Sequence, residues 1–308
     1  NWDVSGNIIV EPNIEINGNV SVVMESHNGD VIINGVTMNG GSKNPFIVDI
    51  QAVNGSIEAN NAKITSKSDG NGKISMIAKD DIDINGAELI SMGNYGIEVR
   101  SSSGSINAEG ASINSTNGSS AAVVILEAAD SINLDRGTVS SVVDITISGS
   151  NAVSARSSKM TNSQYGKNIA ITSGNASVDL SSFSSPERQT EVSSGSGSVY
   201  IYSENDIYIQ SAKILASLGW GMELKFKATG LNSTLWIENA KVQGKSINAE
   251  NLTLNGNLAA GSGTISITPV PLGLLKVIEE EKIVKEVPEV AAEVPPEVAA
   301  EVPPEVAA

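Results

Sequence analysis

Side chains able to do chemistry are few in this chain and lie far apart. Its 308 residues include no cysteine and a single histidine, His27. Without Cys there is neither a disulfide staple nor a thiolate metal site. His27 precedes Asn28-Gly29, a turn signal, and has no obvious catalytic partner, so it is expected to be a solvated turn residue. Asp80, Asp81 and Asp83 form the densest carboxylate group. Paired carboxylates hydrolyse glycosidic bonds when they converge on one sugar. Here Asp80 and Asp81 sit in a turn, where Asp accepts backbone hydrogen bonds, and Asp83 alternates outward. The matching places in neighbouring segments are Gly55-Ser56-Glu58 and Gly104-Ser105-Asn107, so no acid cluster follows. The tandem Gly-Gly-x-Gly-x-Asp pattern of calcium-binding β-helices is absent, and Asp30, Asp81 and Asp206 do not fall on successive segments. The expectation is a non-enzyme that needs no metal and no cofactor.

Recognition chemistry is better represented. Tyr200, Tyr202, Tyr208, Trp220 and Trp236 collect toward the C-terminal end. They are expected either to cover segment edges and a long loop at 212–234, or to form a patch that stacks on sugars or a partner. Asn-x-Ser/Thr triplets occur at Asn19, Asn54, Asn114, Asn117, Asn175, Asn232 and Asn251. In a chain so rich in Asn and Ser these arise by chance, yet each is a candidate glycan acceptor if the chain is extracellular. The net charge of −16, with Lys and Arg scattered, argues against nucleic acid as a partner. No stretch of about 18 apolar residues exists to span a membrane. The chain opens on Asn1-Trp2 without an initiator Met or a signal-peptide pattern, as a processed form or fragment would.

What must position these residues is a repeat. GSIEANNAKITS at 55–66, DDIDINGAELIS at 80–91, GSINAEGASINS at 104–115 and NDIYIQSAKILA at 205–216 share one frame. A turn pair leads into two apolar residues flanking an outward one, then a turn, a small residue and a second apolar pattern. The leading apolar residues Val31, Ile57, Ile82, Ile106 and Ile132 are separated by 26, 25, 24 and 26 residues. Self-similarity at such a period signals a solenoid. Ile207 and Ile247 are read as later members of the same row, and 153–160, 176–183 and 235–242 as weaker copies led by Val153, Ala176 and Leu235. Between frames lie further alternating runs, such as Ile74–Ala78 and Ile169–Ile171, each with one buried and one wet face.

Three short strands per coil of roughly 20–30 residues predict an all-β, right-handed parallel β-helix over 1–268. Like stacks on like, so Ile82 is expected over Ile57 and under Ile106. A small residue at 62, 87, 111, 137 and 212 predicts a corner without room for a branched side chain. Outward, Glu58, Asp83, Asn107, Asn133, Ser154, Ser177, Tyr208 and Trp236 are expected to run down one side, and Lys63 to meet Glu88 on another.

The phrases GDVIINGVTMNG at 29–40, DDIDINGAELIS and GSINAEGASINS resemble the repeats of filamentous-haemagglutinin-like exoproteins of the two-partner-secretion type. The resemblance covers roughly residues 6–268. It implies a secreted β-helix acting as a haemagglutinin-repeat adhesin or surface fibre, at the cell surface or outside the cell. Partners would be further copies of the chain, cell-surface glycans or envelope components. Many parallel β-helices act on polysaccharides as lyases or hydrolases, which is the alternative reading.

From about Pro269 the β pattern stops. Residues 269–287 carry Leu274, Leu275, Val277, Ile278, Ile283 and Val284. They are expected to cap the last coil, or to dock on a neighbouring subunit as a helix or an added strand. Residues 288–308 hold most of a Glu-Val-Pro-Pro-Glu-Val-Ala-Ala repeat, whose Pro pairs and charges predict an extended, non-β tail.

Overall fold

Alternation at 73–78, 82–84 and 88–91 builds three separate short strands, because Lys79-Asp80-Asp81 and Asn85-Gly86 interrupt the apolar runs. The computed structural model describes residues 1–256, except 19–20, 41–45, 68–69, 118–120, 184–187, 218–221, 231–232 and 251, and adds the strand Ile265–Thr268. The chain in this region is an all-β parallel solenoid, with no helix among the described residues. Every third strand joins the same sheet, save that the last described strand, Ile265–Thr268, follows Ser246–Glu250 after one intervening strand, giving parallel sheets of 12, 11 and 10 strands. The first sheet begins Trp2–Val4, Val22–Ser26, Ile47–Ala52. The second begins Ile8–Ile9, Val31–Ile32, Ile57–Glu58, and the third Glu15–Gly18, Thr37–Gly40, Lys63–Ser66.

The interior is a set of ladders running along the axis. In the second sheet Ile8, Val31, Ile57, Ile82, Ile106, Ile132, Val153, Val178, Ile207, Leu235 and Leu254 are joined in unbroken register. Ile57, Ile82 and Ile207 are fully buried, and Ile106 and Ile132 nearly so. Burying each such side chain stabilises the fold by about 1.5–3 kcal/mol relative to exposure. No single coil could bury its apolar face alone; its neighbours do so.

Two placements expected from the sequence are corrected. Ile247 does not belong to this ladder: it lies in the first sheet, between Leu224 and the strand Ile265–Thr268. In the segment at 176–183 the ladder residue is Val178 rather than Ala176, so Asp179, not Ser177, takes the outward place. The outward row of the second sheet is therefore Glu58, Asp83, Asn107, Asn133, Ser154, Asp179, Tyr208 and Trp236. The corner row is also less strict than its composition suggests. Ala62, Ala87, Ala111 and Ala212 are buried there, but Val36 fills the equivalent place in an earlier coil and is fully buried too. That coil has room for a branched side chain. Lys63 does lie opposite Glu88, although the two form no ion pair.

Turn chemistry explains the Asn and Gly content. Between the second and third sheets the chain closes a tight turn, as in the 3.0 Å bond from the Ala87 N–H to the Ile84 carbonyl. One residue of this turn takes a left-handed conformation: Asn13, Gly35, Asn61, Gly86, Gly110, Arg136, Ser157, Ser211 and Asn239, with φ between 48° and 67°. Gly and Asn adopt it at least cost. One residue earlier, Asn side chains bond coil to coil. Asn34 Oδ1 accepts from the Asn60 N–H at 2.7 Å, Asn60 Oδ1 from Asn85 at 3.0 Å, and Asn85 Oδ1 from Glu109 at 3.0 Å. Inside, buried serines satisfy corner carbonyls: Ser66 donates to Phe46 of the preceding coil and Ser115 to the nearby Ala122.

Candidate functional site

The solenoid offers its outer faces for recognition, and the first sheet carries the most differentiated one. Its two outward rows are set by strand register alone. One runs Glu98, Ile125, Thr146, Ala170, Tyr200 and Lys225. The other runs Arg100, Glu127, Ser148, Thr172, Tyr202 and Lys227. In both, two coils of small residues separate bulky walls. Strands repeat at about 4.8 Å, so the walls at Ile125 and Tyr200 stand about 14 Å apart. The result is a trough across the sheet, floored by Thr146, Ser148, Ala170 and Thr172.

Two of the clefts on this face adjoin the tyrosines. One, of about 340 Å³, is lined by Ile125, Asp144, Thr146, Asn168, Ala170 and Tyr200. The other, of about 370 Å³, includes Thr172, Tyr202, Glu204, Lys225 and Lys227. Both reach the lower range of ligand pockets. Tyr200 and Tyr202 stand on the wall with ring centroids 6.2 Å apart and planes tilted by 32°. Burial pushes the Tyr202 phenol up from its ordinary value, so it stays a neutral hydrogen-bonding group.

The lysines and arginine flanking the trough are paired rather than offered. Lys225 Nζ lies 2.6 Å from Glu250 Oε1, and Lys227 Nζ 3.5 Å from Oε2. The hydrogen bond between Lys225 and Glu250 raises the ammonium and lowers the carboxyl. At the far side Glu98 meets Lys73 at 2.6 Å and Arg100 at 2.5 Å, and Arg100 also pairs with Glu127. Burial raises the Glu98 carboxyl, but the hydrogen bonds from Lys73 and Arg100 outweigh it and hold the group below its ordinary value. A trough with neutral aromatics, hydroxyls and internally balanced charges can stack on a ring and hydrogen-bond its substituents. It carries no surplus of positive charge to attract an anion.

The five aromatics read from the sequence do not form one patch. Tyr200 and Tyr202 belong to the first sheet, whereas Tyr208 and Trp236 stand side by side on the second, both exposed. The Tyr208 hydroxyl donates to Asp206 Oδ2 at 2.9 Å. Trp220 lies outside the described residues, as do Asn19, Asn232, Asn251 and all of 269–308 with Leu274, Leu275, Val277, Ile278, Ile283 and Val284. The remaining triplet asparagines are tied into the coil stack. Asn54, Asn117 and Asn175 donate their amide N–H groups to the carbonyls of His27, Met92 and Ser150. Asn114 Oδ1 accepts from Ser140. The nitrogen that a glycan would occupy thus has a structural use at three of these positions.

His27, expected to be without a partner, has two. Its Nε2 lies 2.9 Å from Asp3 Oδ1 and its Nδ1 3.7 Å from Glu25 Oε1. The signal was present as spacing: Asp3 and Glu25 lie one coil apart and fall in register. By contrast, Asp80 and Asp81 serve turns, Asp81 Oδ1 accepting from the Ser105 N–H at 2.7 Å.

Compared with protein-family models, curated proteins and solved structures, the chain matches none. Among the described residues no helix is long and apolar enough to cross a membrane.

Proposed function

We propose that this chain is an extracellular structural or adhesive β-solenoid, a subunit of a surface fibre or the shaft of an adhesin. The observation that carries the reading is the contrast between inside and outside. The interior row keeps Ile, Val or Leu through eleven strands of the second sheet, while the outward neighbours change from Ile32 and Glu58 to Tyr208 and Trp236. Such a rod holds a varied surface in fixed order along its length. The filamentous-haemagglutinin-like repeat phrases support the same reading and its cell-surface location.

On this view the trough beneath Tyr200 and Tyr202 holds a neutral sugar segment. The rings stack on its apolar faces, and Thr146 and Thr172 bond its hydroxyls. Further copies of the chain are the other partner, reached end to end or through residues 269–308.

Two experiments test this. Electron microscopy of the purified chain should show filaments or rods with a regular axial repeat; compact globular particles would contradict it. A glycan array should return neutral oligosaccharides, with binding lost in the Tyr200→Ala, Tyr202→Ala double variant. Depolymerisation of a polysaccharide in the same screen would instead favour a β-helix lyase or hydrolase.

A further inference from the structure

The first two strands of the first sheet set two acids directly opposite each other on its outward face. One outward row begins Asp3, Glu25, Gln51 and Ile77. Asp3 and Glu25 are direct partners in register, about 4.8 Å apart across adjacent strands. Like charges so placed repel and destabilise the pair. Elsewhere on this sheet Glu98 meets Lys73, Glu127 meets Arg100 and Glu250 meets Lys225, while Asp49 accepts a hydrogen bond from Gln51. Among the described residues Asp3 and Glu25 form no ion pair with any Lys or Arg; what they meet is His27.

One ligand atom each from Asp3, Glu25 and His27 lies within 4.8 Å of the others. The backbone fixes this group across successive coils. The His27 N–H donates to the Val4 carbonyl at 3.0 Å, and the His27 carbonyl accepts from Asn54 Nδ2 at 2.8 Å. The side chains themselves are accessible, at 62 % for Asp3, 34 % for Glu25 and 46 % for His27, so a hydrated ion can reach them.

We infer that Asp3, Glu25 and His27 bind one divalent transition cation of the zinc class, with water completing its coordination. The mixed nitrogen and carboxylate set suits zinc and its neighbours better than calcium or magnesium, which take oxygen ligands. Zinc bonds to such ligands are about 2.0–2.2 Å long, which sets tetrahedral donors about 3.3–3.6 Å apart. Asp3 now faces Nε2 at 2.9 Å and Glu25 faces Nδ1 at 3.7 Å, so one ring nitrogen would ligate and the exposed side chains would turn to bring both carboxylates to it. The bound ion neutralises the paired carboxylates and ties the strand Trp2–Val4, which among the described residues pairs only with Val22–Ser26, to that neighbour. This assignment is independent of the adhesive reading.

The chain has one histidine, so its ring resonances need no assignment. The full chain, first stripped with a chelator, is titrated with zinc while the ring is followed by NMR and heat by calorimetry. The expected result is a saturable shift of the His27 ring at one ion per chain, not reproduced by calcium. Asp3→Asn and Glu25→Gln should each weaken zinc binding at least about tenfold, and His27→Gln more. The distant Glu250→Gln should leave it unchanged. An unmoved ring in the unaltered chain, an equal response to calcium, or undiminished affinity in the Asp3→Asn, Glu25→Gln double variant would overturn the assignment and leave an ion-pair network only.

Discussion

The coils from Ile57 to Ser115 and those from Val153 to Gln243 share an interior and differ outside. Both stack Ile, Val or Leu in the second-sheet ladder without a break. In the earlier coils the turn places are filled by residues suited to them: Asn61, Gly86 and Gly110 take the left-handed conformation, and Asn60 and Asn85 bond the next coil. In the later coils Ser157 and Ser211 take that conformation as well as Asn239, and the outward row turns aromatic at Tyr208 and Trp236. The lesson is that the ladder supplies the stability, so turns and outer faces are able to drift toward other uses. Exposed aromatics, Tyr208 and Trp236, stand on these later coils.

The largest effect should come from the shared interior. Ile106→Ala, in the middle of the ladder, should cost about 2–5 kcal/mol in a denaturant melt. The same truncation at the half-buried Leu254, near the end of the row, should cost clearly less. Equal costs would mean that stacking on both sides does not matter.

Next come the turns. Gly86→Ala should destabilise by about 1–2 kcal/mol, since φ is +63° and a Cβ there would stand 2.6 Å from Asn61 Oδ1. Ser211→Gly, at a φ of 53° in the later coils, should stabilise by about 0.5–1 kcal/mol. Thermal melts of the pair would break the comparison if both shifts had the same sign.

A smaller gain is expected at Asn162. It is buried in an interior row that holds Ser66, Ser91, Ser115, Ser141 and Ser194, and among the described residues neither of its amide atoms has a partner. Asn162→Ser should raise stability by about 1 kcal/mol or less, because an unpaired buried polar group is costly. A loss of stability in a denaturant melt would show that the amide has a use.

Acid should act through Glu98. Its folded pKa lies below the ordinary 4.5, so the unfolded chain takes up its proton first as pH falls. The stabilisation is full above about 4.5 and fades as pH drops through the folded value. Glu98→Gln should flatten that part of the stability profile; an unchanged slope would show that the Lys73 and Arg100 contacts contribute little.

Much of the fold was legible because alternation and a period of 24–26 residues report directly on stacking. What misled was the same periodicity. Moving the register by two residues keeps every side chain on its face, so Ala176 and Val178 are equally acceptable until the neighbouring strand selects one. Nor does alternation say which of three sheets a strand joins: Ser246–Glu250 reads alike in any of them, and Ile247 was misplaced for that reason. The sites were harder still. Tyr202 and Tyr208 are six residues apart yet separated by a corner, and Asp3 and His27 are a full coil apart yet in contact.

The stacking itself is best tested by engineered disulfides in this cysteine-free chain. Asp83 and Asn107 are direct partners on adjacent coils, whereas Glu58 and Asn107 are separated by the coil of Asp83. A disulfide spans Cα atoms about 4.4–6.8 Å apart and fails beyond about 7 Å. Cysteines placed at 83 and 107 should therefore cross-link on oxidation, and those at 58 and 107 should stay reduced. Cross-linking of the distant pair with failure of the adjacent one would contradict a solenoid wound in this register.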